Sequence, residues 1–369
     1  MGVLSFIIAM HNVLGLNINQ YLILAFASFV IPFLKIEHLL PFSAFLIPLE
    51  TGINGSLFIF LSAAILYRLP RVSPIMIIFP LIIFSIEILD IFCLVHVQSD
   101  FKKEIIYASF LFLFFIMLFV DTDTNLSKKI LRYFIIGLAV VSAIYILRVL
   151  HTGTISMLLS SGGRTGEGIA EAQSENIGYI TLNANTLGYF SAVGIALCLL
   201  GNKILNIKPA LLIACLFMFI IAGITTVSRT WAMTAALALA LYFLRSINKP
   251  WIWICTIAVI YAVMSFDLIP EPVIESFSRR FTDTDNMATA GGRSEIFERY
   301  NTFMLDNPEY LLFGIGVFDY DILTKVGHSM HNGLQQIFVS TGVFGLFMFV
   351  TAACKFYKLY IRPYPGPMM

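Results

Sequence analysis

Charge is what this sequence has least of: 12% of its 369 residues are Asp, Glu, Lys or Arg, and they balance to a net +1 at pH 7. A soluble domain carries about twice that fraction, and with neither sign dominant the chain offers no diffuse basic surface to nucleic acid. Cysteine is scarce too. Cys93, Cys198, Cys215, Cys255 and Cys354 all fall in apolar runs and none in a polar loop, which excludes a disulfide framework or a thiolate metal site. The N-terminal residues lack the basic region and small-residue cleavage site of a signal peptide, so residues 3–16 read as a retained first span. Pro/Ser-rich linkers and repeats of solenoid period are missing as well.

What fills the chain instead is hydrocarbon. Hydrophobic residues make up 59% of it and the mean hydropathy is +0.87, the composition of an all-α polytopic membrane protein. Apolar runs between short polar breaks predict about twelve transmembrane helices in one integral membrane domain, 1–369. They fall near 3–17, 20–34, 38–50, 55–67, 75–97, 104–120, 130–150, 181–200, 208–226, 229–245, 250–266 and 331–353. Pro32, Pro41 and Pro48 interrupt the early runs, which leaves room for two of the first four to merge or re-enter.

Orientation follows from Lys and Arg in the short connections. Lys35, Arg68, Arg71, Lys128, Lys129, Arg132, Lys203, Lys208, Arg245, Lys249, Lys355, Lys358 and Arg362 share one side, against Lys102, Lys103, Arg164 and Arg229 on the other. The richer side is the cytoplasmic one. Both termini are then cytoplasmic, and the loops 151–180 and 267–330 both face outward.

Most of the chemistry-bearing residues lie in or beside those loops. The first holds Gly162-Gly163-Arg164-Thr165-Gly166 and reads as a flexible surface loop, since no strand precedes it and no Gly-Lys-Ser/Thr ends it. Asn183 and Asn185 then enter the next span as helix caps. Thr225-Thr226-Val227-Ser228-Arg229-Thr230 makes a tight outer turn between two spans, where an arginine must snorkel, pair or bind an anion. Inside the spans, Glu87 and Asp90 share a helical face near His96, with Arg148 and Arg229 as candidate partners.

The long loop carries Arg279-Arg280, then Gly291-Gly292-Arg293-Ser294 opening a short helix whose apolar side is Ile296, Phe297, Tyr300, Phe303 and Met304. Asn307-Pro308 and Phe313-Gly314-Ile315-Gly316 follow, and His331-Asn332-Gly333-Leu334 leads into the last span. A guanidinium beside the orphan N–H groups of a helix start favours phosphate oxygens. Asp283-Thr284-Asp285 reads as a solvated turn for want of further carboxylates, and His328 with His331 lacks a third zinc ligand, so no metal is assigned.

This ordered set resembles the O-antigen ligase and O-antigen polymerase superfamily of membrane glycosyltransferases. The likeness covers about residues 183–345, carried by Ser228-Arg229-Thr230, Gly292-Arg293-Ser294, Phe313-Gly314-Ile315-Gly316, His331-Asn332-Gly333-Leu334 and Gly342-Val343-Phe344-Gly345. Members usually continue with further helices after the histidine span, which this sequence does not.

The resemblance implies a multi-pass enzyme of the bacterial inner membrane with an outward active site. Its donor would be an undecaprenyl-pyrophosphate-linked glycan and its acceptor a glycan or lipid A-core, with membrane lipids around it, no nucleic acid partner and no cofactor. By the same resemblance Arg229 and Arg293, with Arg279 and Arg280 beside them, would engage the pyrophosphate. His331 would be the catalytic base, and Asn332 and Arg164 would contact acceptor or donor. The competing expectation is a transporter of polysaccharide or lipid-linked glycan, which places charge and broken helices near the bilayer midplane. A non-catalytic membrane scaffold is the third expectation, and it predicts that His331 and Arg293 can be changed without consequence.

Overall fold

The structure, a computed structural model, describes residues 1–16, 19–68, 124–151, 184–205, 207–245, 293–315 and 333–356, with isolated helical positions between 78 and 278. The described residues form eleven α-helices and two short 3-10 helices. In order these are α1 (Gly2–Leu14), α2 (Gln20–Val30), α3 (Ile36–Leu46), α4 (Ser56–Arg68), α5 (Thr124–His151), α6 (Ala184–Leu205), α7 (Pro209–Thr225), α8 (Arg229–Arg245), α9 (Arg293–Asp306), α10 (Tyr310–Phe313) and α11 (Gly333–Phe356). The 3-10 turns Ile31–Phe33 and Ile47–Gly52 follow α2 and α3, each with a proline in its first turn, where the missing N–H costs nothing.

Among the described residues, three helical stretches are long and apolar enough to cross a membrane: Asn125–His151, Ala184–Gly201 and Leu334–Thr351. They suggest a multi-pass membrane protein. The shorter helices present apolar side chains outward at one-turn spacing, Ile213 and Phe217 on α7, Met233 and Leu237 on α8, each at least 60% exposed. Lipid removes the cost that such faces would carry in water. The runs expected at 75–97, 104–120 and 250–266 lie outside the described residues except at isolated positions, and twelve crossings are not what the described helices amount to.

The chain divides into two compact units. Residues Met1–Leu57 and Thr122–Thr282 make the first, Phe58–Asp121 and Asp283–Met369 the second. In the first, α5 is the central post, packed by α1, α3, α6 and α7, with α8 against α6. A side chain at Gly137 would bring its Cβ to 2.4 Å from the Phe45 carbonyl oxygen, so glycine is what lets α3 and α5 approach backbone to backbone. The core joins Ile135 and Leu138 of α5 to Ile195 and Cys198 of α6, Cys215 and Phe219 of α7, and Ala235 and Ala238 of α8. Arg132 Nε donates to the Leu205 carbonyl, tying the start of α5 to the last residue of α6. Those two helices are therefore antiparallel, in a register that this bond fixes.

In the second unit, α9 and α10 pack on α11 around Tyr300, Met304, Tyr310, Ile315 and Val339. Burial pushes the Tyr300 phenol up from its ordinary value. The stability this neutral phenol contributes is fully present below the unfolded pKa of about 10 and is lost as pH rises through the folded one.

The expected last span is broken. Gly342 sits at φ 65°, ψ −167° inside α11, a backbone region that only glycine occupies without strain. The Leu312 carbonyl oxygen lies 2.3 Å from where its Cβ would be. Across the break Ile315 N–H donates to the Val339 carbonyl at 2.9 Å, satisfying a backbone group that the interrupted helix leaves over. Gly314, at φ 87°, presses on the backbone of Ser340 and Thr341 in return. Gly342→Ala is therefore expected to cost about 2–6 kcal/mol, from backbone strain plus overpacking. A detergent melt in which Gly342→Ala unfolds within a degree of the parent would refute this.

Candidate functional site

The turn between α7 and α8 is built by threonines and a strained valine. Thr226 N–H and Oγ1 both donate to the Gly223 carbonyl, at 3.2 and 2.7 Å, and Thr225 Oγ1 donates to Ala222 at 2.9 Å, closing the end of α7. Val227 then adopts φ +46°, the only positive φ at a non-glycine residue among the described ones, and is held there by near-total burial. A β-branched residue in that region is disfavoured unless its surroundings over-determine it. Ser228 caps α8: its carbonyl accepts from Ala232 N–H at 3.1 Å and its Oγ, weakly, from Trp231 N–H at 3.4 Å. Behind the turn stands Gly188 of α6, where a Cβ would lie 2.9 Å from Ser228 Cβ and 3.1 Å from Thr226 Oγ1.

This construction makes Arg229 the first residue of α8, half-buried. A cation there opposes the positive end of the helix dipole. Among the described residues no carboxylate pairs with it. Guanidinium and orphan N–H groups side by side form an arrangement that an anion relieves.

A second cation stands at the same end of this unit. Arg148 is only 1% exposed, the largest fully buried side chain among the described residues, and its guanidinium lies 5.8 Å from the Tyr145 ring centroid. Arg132 meets Leu205 at the other end, and α5 and α6 run antiparallel. Sixteen residues further along α5, about 24 Å, therefore carry Arg148 toward the end of α6 that holds Gly188. From sequence Arg148 was only a possible partner for Glu87 or Asp90, which lie outside the described residues. Its place inside an apolar span, in the last turn, was the available signal, because a buried arginine there is costly unless used.

In the second unit, Arg293 is the first residue of α9, as the preceding glycines imply, though its side chain lies outside the described residues. Ile296, Tyr300, Phe303 and Met304 face inward as expected. Phe297 does not: its side chain is 43% exposed. Its carbonyl has another use, accepting from Gln335 Nε2 at 2.8 Å, while the same amide reaches Asn301 Oδ1 at 3.3 Å. Gln335, 6% exposed, thereby clamps α11 to α9 one turn after Arg293. Sequence reading passed over it, although a glutamine just inside an apolar span was the clue. Asn307 ends α9, donating from N–H and Nδ2 to the Phe303 carbonyl at 3.1 and 2.8 Å.

His331 and Asn332 immediately precede α11 in sequence and, like Arg164, Arg279 and Arg280, lie outside the described residues. Arg229 and Arg293 belong to different units. Among the described residues no group of three His, Cys, Asp or Glu side chains is placed to hold a metal, and Asp283, Asp285 and His328 fall outside them. No family model matches the chain, and neither a curated protein nor a solved structure is found to be similar to it.

Proposed function

We propose that this protein is a membrane glycosyltransferase that transfers or polymerises polyprenyl-pyrophosphate-linked glycan at the outer face of the bacterial inner membrane. The observation that carries the reading is Arg229 at the first position of α8, a cation set against a helix dipole by a strained, fully packed turn. A pyrophosphate ester is the chemistry this placement suits. It brings its own leaving group, and arginine neutralises the charge that develops on it.

In the proposed reaction the acceptor hydroxyl oxygen attacks the sugar C1 and the C1–O bond to pyrophosphate breaks. The hydroxyl proton passes to His331, and the polyprenyl pyrophosphate leaves against Arg229 and Arg293, with Arg279 and Arg280 nearby. In-line displacement inverts C1 and needs no cofactor. Asn332 and Arg164 contact acceptor or donor. If both arginines hold one pyrophosphate, a donor-bound structure places their guanidiniums within about 15 Å, the reach of a shared group with ordered water.

One pair of observations favours a second reading, a transporter of lipid-linked glycan. The broken α11 and the buried Arg148 are devices that transporters also use. The glycan profile of a deletion strain separates the readings. Loss of a polymerase leaves single-repeat glycan on its normal acceptor, and loss of a ligase leaves that acceptor bare while lipid-linked polymer accumulates. Loss of a transporter leaves lipid-linked glycan on the cytoplasmic leaflet and overturns the enzyme reading.

A further inference from the structure

A cavity of about 320 Å³ opens beside the start of α5, far along that helix from Arg148. Val30, Leu34 and Phe42 wall one part of it, and His38, Lys129 and Tyr133 line another. Lys129 Nζ donates to His38 Nδ1 at 3.2 Å, and His38 Nε2 lies 3.6 Å from Glu37 Oε1, so the lysine is held over the opening by an imidazole nitrogen. An ammonium has three N–H donors, and this contact uses one. Lys129 stands among the described lining residues and no carboxylate does, which leaves the lining net positive.

The depth matters as much as the charge. Lys129 lies four residues, about 6 Å, beyond Asn125, where the apolar stretch of α5 begins. That is the level of lipid headgroups, and Tyr133 one turn deeper suits the interface. Phe29 and Phe33, 72% and 74% exposed, add apolar surface next to Val30 and Leu34 in the chain. A free anion has no use for that wall, and a zwitterionic lipid has less use for the cations.

We propose that the cavity at Lys129, His38 and Leu34 binds an anionic phospholipid of the leaflet that meets the start of α5, its phosphate at Lys129 and its first acyl carbons against Val30, Leu34 and Phe42. The volume is at the small end of ligand cavities, enough for a headgroup and the beginning of its chains. This site is independent of the glycan reading and stands whether or not that reading holds.

Native mass spectrometry of the purified full chain in neutral detergent tests it, with phosphatidylglycerol and phosphatidylcholine of identical chains as probes. Phosphatidylglycerol is expected to be retained about fivefold better, the preference that one well-placed basic residue supplies. Lys129→Gln should bring the two lipids to parity, Lys129→Arg should keep the preference, and Leu34→Trp, which fills the cavity, should lower retention of both. Parity in the parent overturns the proposal, as does a preference that survives both Lys129→Gln and Leu34→Trp. Displacement of phosphatidylglycerol by millimolar inorganic phosphate also overturns it, since the site would then hold a free anion.

Discussion

His331→Ala is expected to lower glycan transfer by about 10²–10⁴-fold, the usual contribution of a general base, while protein level and lipid-linked donor are retained. An imidazole titrates near neutrality and can take a hydroxyl proton without being protonated beforehand. The residue stands two positions before α11 begins, in the connection that follows α10 and Gly314. Two features anchor the flanks of that connection: Ile315 N–H on the Val339 carbonyl, and Gln335 on α9. His328→Ala is the matched control, with the same side chain three residues earlier, and should be much milder. Transfer near the parent rate in His331→Ala would remove the proposed base.

Arg229 gives the other large effect, and one that separates function from folding. Arg229→Ala should cost about 10²–10³ in transfer, as removal of one charge-stabilising donor does. Arg229→Lys should cost nearly as much, because a point charge cannot reproduce the planar fork that grips two phosphate oxygens. Stability should move the other way. A cation at the first position of a helix opposes the dipole, so its removal is expected to leave the melting temperature unchanged or to raise stability by up to about 1 kcal/mol. A variant that loses activity and stability together would assign Arg229 a structural role instead.

The parts of the fold that announced themselves did so through local signals. The apolar stretch Asn125–His151, the polar start of α6, the α7–α8 turn and the opening of α9 at Arg293 each follow from apolar length, capping residues or glycine placement. Asn307-Pro308 marks the end of α9. What stayed hidden depends on partners distant in sequence. The break at Gly342 needs Leu312 and Ile315 against it. Phe297 is exposed while its carbonyl accepts from Gln335, a partner 38 residues away that no local pattern announces. Arg148 is legible as an arginine in a span, but its nearness to the Arg229 end follows only from the α5–α6 register. The lipid cavity joins α3 to α5 across ninety residues of sequence, and neither His38 nor Lys129 is unusual alone. For His331, Asn332, Arg164, Arg279 and Arg280, sequence remains the basis of their assignment.

The proposed reaction requires that this chain itself break a sugar–pyrophosphate bond. Its most direct test is to reconstitute the purified full chain in liposomes with polyprenyl-pyrophosphate-linked glycan and acceptor, with EDTA present, and to follow polyprenyl pyrophosphate and product together. Equimolar release of polyprenyl pyrophosphate and a glycosidic product inverted at C1 is expected, both lowered about 10²–10³-fold in Arg229→Ala. Donor that crosses the bilayer with its pyrophosphate bond intact, and no product, would contradict it.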